Sequence, residues 1–460
     1  MATPAPSTPE TGVPASLDTG PEPLRRELTR LSIAVIAING IVGAGIFGLP
    51  AEAARLTGPF SPVIFLICGL LMSTLMLSFA QASSYFRGTG GPILYVTTAF
   101  GPFAGFQAGW VLYVGRVTSL AANANLFATY LGAYVPGADA GPGRVVVLAL
   151  LALVFAWINI AGIRQGIGSL MAITVAKFVP LVVFVLVGLT FLAPEAFADA
   201  SLPAYSGFGE AVLLVFYAFI GFESALIPAG ESRNPTRDIP RALIATAAAA
   251  TILYVLIQTI SVAVTPDLAE TTRPLAVAAG MMMGPAGAAL ISFAALMSIL
   301  GNYAQSVLSA PRMTYALARA GSLPAWLGAV HGRYRTPHVS IAVYCVLGFA
   351  LGAAGTFVQL AVMSSLARLV GYLLSLGALP ALRRRFGEAE DAFRLPGGPT
   401  IPAAAFVICV WLVAQVRFEA VWKTAILIAV GAVLYAVARR RGTAGPGPSE
   451  ANAGPDTRHS

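Results

Sequence analysis

The sequence predicts an all-α integral membrane protein, on the basis of its composition, its long apolar runs and the placement of its charges. Of 460 residues, 57% are hydrophobic and 10% are charged, whereas soluble domains carry about 25% charged residues. Apolar runs of about 20 residues cross a hydrocarbon core as helices. Twelve such spans are expected, near residues 31–52, 60–86, 101–134, 145–163, 167–193, 209–231, 241–264, 275–316, 339–355, 357–382, 400–416 and 420–438.

The two ends of the chain differ in character from its middle. Residues 1–27 and 441–460 are polar and rich in Pro, Thr and Gly, which predicts disordered tails around a single membrane domain over 28–440. The N-terminal tail has no apolar core of the kind that marks a cleavable signal. The run at 275–316 is long enough to hold a surface helix before its spanning part.

Positive charge is unevenly distributed over the connecting segments. If the N-terminus lies inside, 20 arginines fall in cytoplasmic segments, while four arginines and Lys423 fall outside. Lys and Arg concentrate in the cytoplasmic loops of membrane proteins. The asymmetry predicts a multi-pass protein of the plasma or inner membrane with both termini cytoplasmic. It also accounts for the net charge of +8, so no nucleic-acid partner is expected.

Two of the hydrophobic spans carry matching interruptions. In the first span Gly43 precedes Pro50 with six residues between them, and in the sixth Gly221 precedes Pro228 at the same spacing. Glycine and proline weaken a helix, and unwound backbone in a bilayer survives only against protein or a water-filled cavity. Corresponding interruptions in two halves of a chain point to a transporter's substrate site.

The orientation of these two spans indicates an inverted repeat. The first span begins inside and the sixth begins outside, so two five-span units of opposite orientation fit the chain. They cover about 31–193 and 209–382, and the two last spans, over about 400–438, are appended to them.

The interrupted backbone offers groups of both polarities. The amides around Gly43, Ala44 and Gly45 would begin a half-helix and suit a carboxylate. The freed carbonyls of Ile41 and Ile220 would suit an ammonium group, and one site for both charges describes an α-amino acid. A glycine notch for helix packing is the alternative, but the pairing of two interruptions favours a binding site.

Ionisable residues inside spans are functional by default. Lys177 is one of only two lysines against 26 arginines, and lysine, unlike arginine, can release its proton when it is desolvated. We interpret it as a proton carrier or as a fixed cation at an ion site. Tethering of the fifth span to the first is a compatible structural role. Arg116 and Arg368 are expected to be paired structural groups, and substrate sensing by either is the alternative.

Glu223 lies inside the interruption of the sixth span. The alternatives for it are a gate, a proton site, a counter-ion for a cationic substrate, and a neutral carboxyl bonded to a neighbouring helix. Tyr217 and Phe222 flank the interruption, where an aromatic ring either covers a substrate or packs in the core. Three asparagines either line a cavity or bond across helices: Asn39, Asn123 and Asn125.

The sequence offers no catalytic or metal-binding pattern. It contains no HExxH motif, P-loop or Cys/His cluster, and its three cysteines lie scattered inside apolar runs without metal-ligand spacing. We therefore expect no enzymatic activity, cofactor or metal site.

These motifs resemble those of the amino acid–polyamine–organocation (APC) superfamily. The signatures stand at 43–47 (Gly-x-Gly-Ile-Phe), 219–224, 231–240 (Glu-x-x-Asn-Pro-x-Arg-x-x-Pro), 315–321 and Thr336-Pro337. The resemblance covers about 28–440. It implies a LeuT-like fold with 12 transmembrane helices, in a 5+5 inverted repeat plus two C-terminal helices, and transport by alternating access.

The resemblance also implies a site. By position, amides of the first interruption would hold a substrate carboxylate, and carbonyls of both interruptions would hold the amino group. The residues expected to bind substrate are Ile41, Gly43, Ala44, Gly45, Ile46, Tyr217, Phe219, Ile220 and Glu223. Gating is expected of Tyr217, Phe222 and Glu223.

Lys177 and Glu223 resemble different members of the superfamily, so they imply different coupling and different substrates. Lys177 stands where several family members place a lysine in the equivalent of a sodium site, which implies proton symport or sodium-independent exchange. Glu223 instead resembles the arginine/agmatine-type exchangers, and Ala44 replaces a common serine. The expected function is a secondary amino acid transporter with a proton as candidate coupling ion. The alternatives are an antiporter of cationic amino acids or polyamines and a non-transporting sensor, against which the short tails argue.

Overall fold

Helices make up all the regular structure in the described part of the chain. The computed structural model describes residues 30–86, 91–162, 167–192, 194–198, 200–226, 235–387, 393, 395 and 397–440. The α-helices are α1 (Arg30–Ile41), α2 (Gly45–Thr57), α3 (Ser61–Ser84), α4 (Gly91–Phe100), α5 (Pro102–Leu131), α6 (Gly141–Ile160), α7 (Ile167–Gly188), α8 (Tyr205–Phe219), α9 (Pro235–Val264), α10 (Pro274–Arg319), α11 (His338–Ala354), α12 (Phe357–Phe386), α13 (Thr400–Ala414) and α14 (Phe418–Arg440). Both tails, Pro228 and the 231–234 part of the predicted pattern lie outside the described residues.

The helices have the length and the surface of membrane spans. Eight described segments are long and apolar enough to cross a membrane, and four shorter apolar helices accompany them. Large apolar side chains face outward: Leu153 and Trp157 of α6 are 67% and 65% exposed, and Val433 of α14 is 62% exposed. An exterior of this kind suits contact with lipid. The protein is a multi-pass membrane protein, while the count of twelve spans stays a prediction.

Two helices depart from the predicted spans. Helix α4 is a separate 10-residue helix ahead of α5 that the sequence analysis did not predict. Gly101 between them adopts φ 87°, a conformation that glycine reaches without steric cost. Helix α10 is 46 residues long and kinks at Gly284, where φ is 68°, just before Pro285. The long run at 275–316 is therefore divided, as its length suggested.

The interrupted elements lie at the centre of the packing. Every residue of α8 from Ala211 to Phe219 is buried, as expected for a helix that is apolar on all sides. Helix α8 packs against α2 and α3, while α1 and α3 pack against α9. Helix α5 packs against α10 and α12, α7 against α10, and α6 against α11. Helices α13 and α14 join this group through α3, α5 and α12.

Candidate functional site

The first interruption, residues 42–44, separates α1 from α2. The Gly43 amide donates to the Ile41 carbonyl oxygen at 2.8 Å in a tight turn. Ala44, at the start of α2, provides no side-chain cap. The first amides of α2 therefore lack intrahelical acceptors, and together with the helix dipole they form an end that favours an anion.

The second interruption, residues 220–221, follows α8. Ile220 is extended, with φ −72° and ψ 149°, and a 3-10 turn follows at Phe222–Ala225. Gly221 permits the change of direction because its φ is 120°, which residues with a side chain rarely adopt. The last carbonyls of α8 leave the helical ladder here and carry partial negative charge.

The two interruptions touch each other through glycine. A Cβ added to Gly40 would lie 2.6 Å from the Gly221 carbonyl oxygen, and one added to Gly45 would lie 2.5 Å from the Ala218 Cα. No side chain fits at either crossing. The glycines therefore allow α1 and α2 to pack closely against α8 and the turn that follows it. They also mark where the helices end.

A cavity that is partly open to solvent lies between the interruptions, and the space free of protein atoms there, including its open part, is about 530 Å³. Seven residues that were predicted to bind substrate line it: Ile41, Gly43, Ala44, Gly45, Tyr217, Ile220 and Glu223. Helices α5, α10 and α12 contribute most of the remaining side chains: Arg116, Ser119, Asn123, Asn302, Gln305, Ser306 and Arg368.

Three of the residues predicted to bind substrate or to act as gates are not part of the cavity lining. Ile46 is fully buried, so a role in binding would fall to its backbone amide. The ring of Phe219 packs edge-on against Tyr254, with centroids 5.0 Å apart. The ring of Phe222 packs against Tyr372 at 5.7 Å. In this conformation both phenylalanines belong to the core beside the cavity.

Tyr254 of α9 bridges the two interruptions, and sequence analysis missed it. Its buried hydroxyl lies 3.1 Å from the Ile41 carbonyl oxygen and 3.2 Å from that of Ala218. A hydroxyl has one proton and donates to one acceptor at a time, so lone pairs of both carbonyls stay available to another donor. A lone tyrosine in an apolar span gives no signal of such a role.

Glu223 is buried, and both oxygens of its carboxylate accept hydrogen bonds. Oε1 accepts a hydrogen bond from Arg368 Nε at 3.1 Å. Oε2 accepts from the Tyr372 hydroxyl and from the Gly221 amide, both at 3.0 Å. Arg368 also donates to the Gly115 carbonyl oxygen at 3.0 Å. This ion pair ties α12 to the turn after α8, and the partner of Arg368 is thus an acid at the interruption.

Lys177 of α7 lies beside the first interruption and outside the cavity lining. Its side chain is 1% exposed. Nζ donates to the Val42 carbonyl oxygen at 2.7 Å and to that of Asn39 at 3.1 Å. Ser298 of α10 also donates to Val42, at 3.2 Å. The ammonium group occupies the C-terminal end of α1, where the helix dipole favours a cation.

A chain of hydrogen bonds runs along one wall of the cavity. The Tyr217 hydroxyl donates to Asn123 Oδ1 at 3.1 Å and lies 3.1 Å from the Ser119 hydroxyl. Asn123 Nδ2 donates to Asn302 Oδ1 at 2.8 Å, and Asn302 Nδ2 donates to the Gly40 carbonyl oxygen at 3.3 Å. These hydrogen bonds link α8, α5 and α10 to the end of α1, so movement of one of these helices changes the hydrogen bonds of the others.

Comparison with known proteins now decides the family. The sequence profile of the family described as amino acid permease matches residues 28–437. The chain belongs to this amino acid permease family. The permease is therefore an amino acid transporter of the APC superfamily, and the predicted resemblance is confirmed.

Relatives align with nearly the whole permease. It is similar to the branched-chain amino acid permease BcaP of Bacillus subtilis, with 24% identity over 92% of this chain and 95% of that protein. The serine/threonine exchanger SteT of the same species is 28% identical over 83% and 89% of the two chains. An uncharacterized transporter of Mycobacterium tuberculosis is 29% identical over 91% and 92%.

Ser119 of α5 and the lining side chains of α10 are what sequence analysis of the permease missed. Polar residues on long apolar helices show which way they face only once the rotation of the helix is known. Asn123 and Asn125, two residues apart, illustrate this: Asn123 lines the cavity, whereas Asn125 bonds to Arg144 at 2.7 Å and to the Gly352 carbonyl oxygen at 3.0 Å. The unpredicted lining residues Asn302, Gln305 and Ser306 lie on α10 in the same way.

Proposed function

We propose that this permease binds an α-amino acid in the cavity between the interruptions and transports it as a secondary active carrier by alternating access. The observation that carries the proposal is that the amide end of α2 and the freed carbonyls of Ile41 and Ile220 border one cavity. These groups match an α-carboxylate and an α-ammonium group. The names of two relatives, a branched-chain amino acid permease and a serine/threonine exchanger, support this substrate class.

Helix packing supports a LeuT-like fold of twelve helices with an inverted repeat. Exchange of the two halves would replace α1 with α8, α3 with α9, α5 with α10, α6 with α11 and α7 with α12. The α5–α12 contact then becomes α10–α7, and the α1–α9 contact becomes α8–α3; all four contacts occur. Two cationic side chains correspond under the same exchange: Lys177 of α7 binds beside the first interruption, and Arg368 of α12 binds beside the second.

We assign the repeats to about 31–193 and 209–382 of a single transporter domain over 28–440. Both termini are placed in the cytoplasm, on the basis of the excess of arginine in the segments that this orientation puts inside. The host membrane is then the plasma or inner membrane.

The position of Lys177 supports transport without sodium. Carbonyl oxygens at the end of an interrupted helix are the groups that coordinate sodium in carriers of this kind. Here the ammonium group already donates to two of them, those of Val42 and Asn39. Proton symport and amino acid exchange are the two modes consistent with a fixed or titrating lysine.

We propose Tyr217 as the gating side chain. It lines the cavity, and its ring lies edge-on to Phe357 of α12 with centroids 6.0 Å apart. Its hydroxyl is held by the hydrogen-bond chain from α5. Phe222 and Glu223 then hold the hinge on which the gate moves.

Transport by purified protein in liposomes tests the proposal. Proteoliposomes loaded with a mixture of the twenty amino acids should take up a labelled amino acid by exchange, in sodium-free buffer, at rates above those of empty liposomes. Uptake that requires sodium would contradict the role given to Lys177. Binding of amino acids without flux would instead assign a sensor.

A further inference from the structure

The side chains around the cavity carry an excess of positive charge. Two guanidinium groups line it, Arg116 and Arg368, against one carboxylate, Glu223. Arg368 is paired with that carboxylate at 3.1 Å. Arg116 has no carboxylate within 4.0 Å among the residues that the structure describes. One positive charge is therefore left over.

Arg116 is buried without a full set of acceptors. It is 7% exposed, and its hydrogen bond to a described residue runs from Nη1 to the Ser309 hydroxyl at 2.9 Å. A guanidinium group has five N–H donors, so among the described residues four have no acceptor and can bind water or a ligand. A cation in a protein interior is costly unless an anion offsets it. Lys177, which donates to carbonyls at the end of α1, adds charge of the same sign.

The lining of the cavity as a whole is polar rather than apolar. Ten of its seventeen residues carry a polar or charged side chain, four are glycine, and only Ile41, Ala44 and Ile220 are apolar. A pocket for an aliphatic side chain is lined mainly by apolar groups. This cavity thus differs from what a branched-chain substrate needs.

The cavity also offers few groups that would bind a cationic side chain. Glu223 is the acid of the cavity lining, and Arg368, Tyr372 and Gly221 already donate to its two oxygens. A substrate ammonium group would share this carboxylate with a buried arginine, whose charge repels it, and it would face Arg116 as well.

We propose that the substrates of this permease are the acidic amino acids, whose side-chain carboxylate is held by Arg116. The inference rests on the proposed function, which assigns the α-carboxylate and the α-ammonium group to the interruptions. A third charged group on the substrate then neutralises the cavity, and a guanidinium–carboxylate pair can form two parallel hydrogen bonds.

Binding to the purified full-length protein tests this, by calorimetry with L-glutamate, L-aspartate, L-glutamine, L-asparagine, L-leucine, L-lysine and glutarate. An acidic amino acid should bind at least about tenfold more tightly than its amide, as a charged hydrogen-bond partner provides. L-Leucine and L-lysine should bind more weakly than both. Glutarate, which lacks the ammonium group, should bind more weakly than L-glutamate.

Variants of Arg116 test whether this residue causes the preference for the acid over its amide. Arg116→Gln should bring the ratio of acid to amide affinity close to one, and Arg116→Lys should retain part of the preference. Arg144→Gln is the matched control, because Arg144 bonds to Asn125 away from the cavity, and it should keep the wild-type ratio. If Arg116→Gln does not fold, the ratio of acid to amide affinity in the unmodified protein still tests the acidic substrate class.

The outcomes separate the two proposals. Amides or L-leucine that bind as tightly as the acids would overturn the acidic class and leave amino acid transport standing. Glutarate that binds as tightly as L-glutamate would overturn the amino acid site itself. No binding or exchange of any amino acid would refute the proposed function and this inference with it.

Discussion

Glu223 and Arg368 form an ion pair that is almost closed to solvent, with side chains 4% and 7% exposed. Such a pair contributes little net stability compared with apolar residues, but removal of one partner leaves an uncompensated buried charge. Their placement therefore fixes the geometry of the second interruption: α12 supplies the cation, and the turn after α8 supplies the acid.

Glu223→Gln should lower the free energy of unfolding by about 3–5 kcal/mol, because Arg368 loses its counter-charge. Glu210→Gln is the control, since its partner Arg417 is 80% exposed and such pairs contribute about 0–1 kcal/mol. Thermal unfolding of both variants in one detergent measures the difference. Similar melting temperatures for the two variants would mean that the buried pair is not maintained.

Lys177→Met should stop transport or remove its dependence on pH, since the carbonyls of Val42 and Asn39 would lose their cation. Uptake is compared between the variant and the unmodified protein across pH 5–8, the range over which a perturbed lysine can titrate. Lys423→Met, at an exposed lysine paired with Glu419, serves as control. Unchanged flux and pH profile in Lys177→Met would remove this residue from coupling.

At the scale of the elements, the two interruptions were predictable and their surroundings were not. Glycine and proline mark where a helix weakens, so residues 42–44 and 220–221 follow from local chemistry. Helix α4 was missed because it is short and only Gly101 separates it from α5. The contacts of Tyr254 and Asn302 depend on how each helix is rotated in the packed structure, which the apolar pattern of a membrane span does not record.

The crossing of the interruptions predicts a difference between two glycines. Both Gly221 and Gly101 have positive φ, 120° and 87°, so alanine costs about 1–3 kcal/mol of backbone strain at either position. A Cβ at Gly221 would also lie 2.3 Å from the Gly40 carbonyl oxygen, whereas Gly101 has open space around it. Gly221→Ala should therefore have the lower melting temperature and lose transport. Equal melting temperatures would argue against the close crossing.

At the scale of the whole molecule, the proposed repeat relates the α5–α12 contact to α10–α7 and the α1–α9 contact to α8–α3, and it relates Lys177 at the first interruption to Arg368 at the second. Sequence analysis suggested the repeat from a short match between two spans. The proposed equivalence of Lys177 and Arg368 could not be predicted from the sequence, because the residues around them differ in identity and one binds carbonyls while the other binds an acid.

Labelling of introduced cysteines tests the proposed orientation. The native Cys68, Cys345 and Cys409 are buried, so a membrane-impermeant maleimide reports an added cysteine. In intact cells Ser201→Cys, in the exposed connection between α7 and α8, should be labelled. Ser449→Cys, in the C-terminal tail, should be labelled only after the cells are opened. The reverse pattern would invert the topology.

The account as a whole depends on a substrate held by both of its α-charged groups. The most direct measurement is calorimetric binding of three compounds to the purified permease: the amino acid that exchanges fastest, its α-methyl ester and its N-acetyl derivative. Each derivative removes one charge that the interruptions are proposed to hold, so both should bind at least about tenfold more weakly than the parent. Binding of either derivative as tightly as the parent would contradict the account.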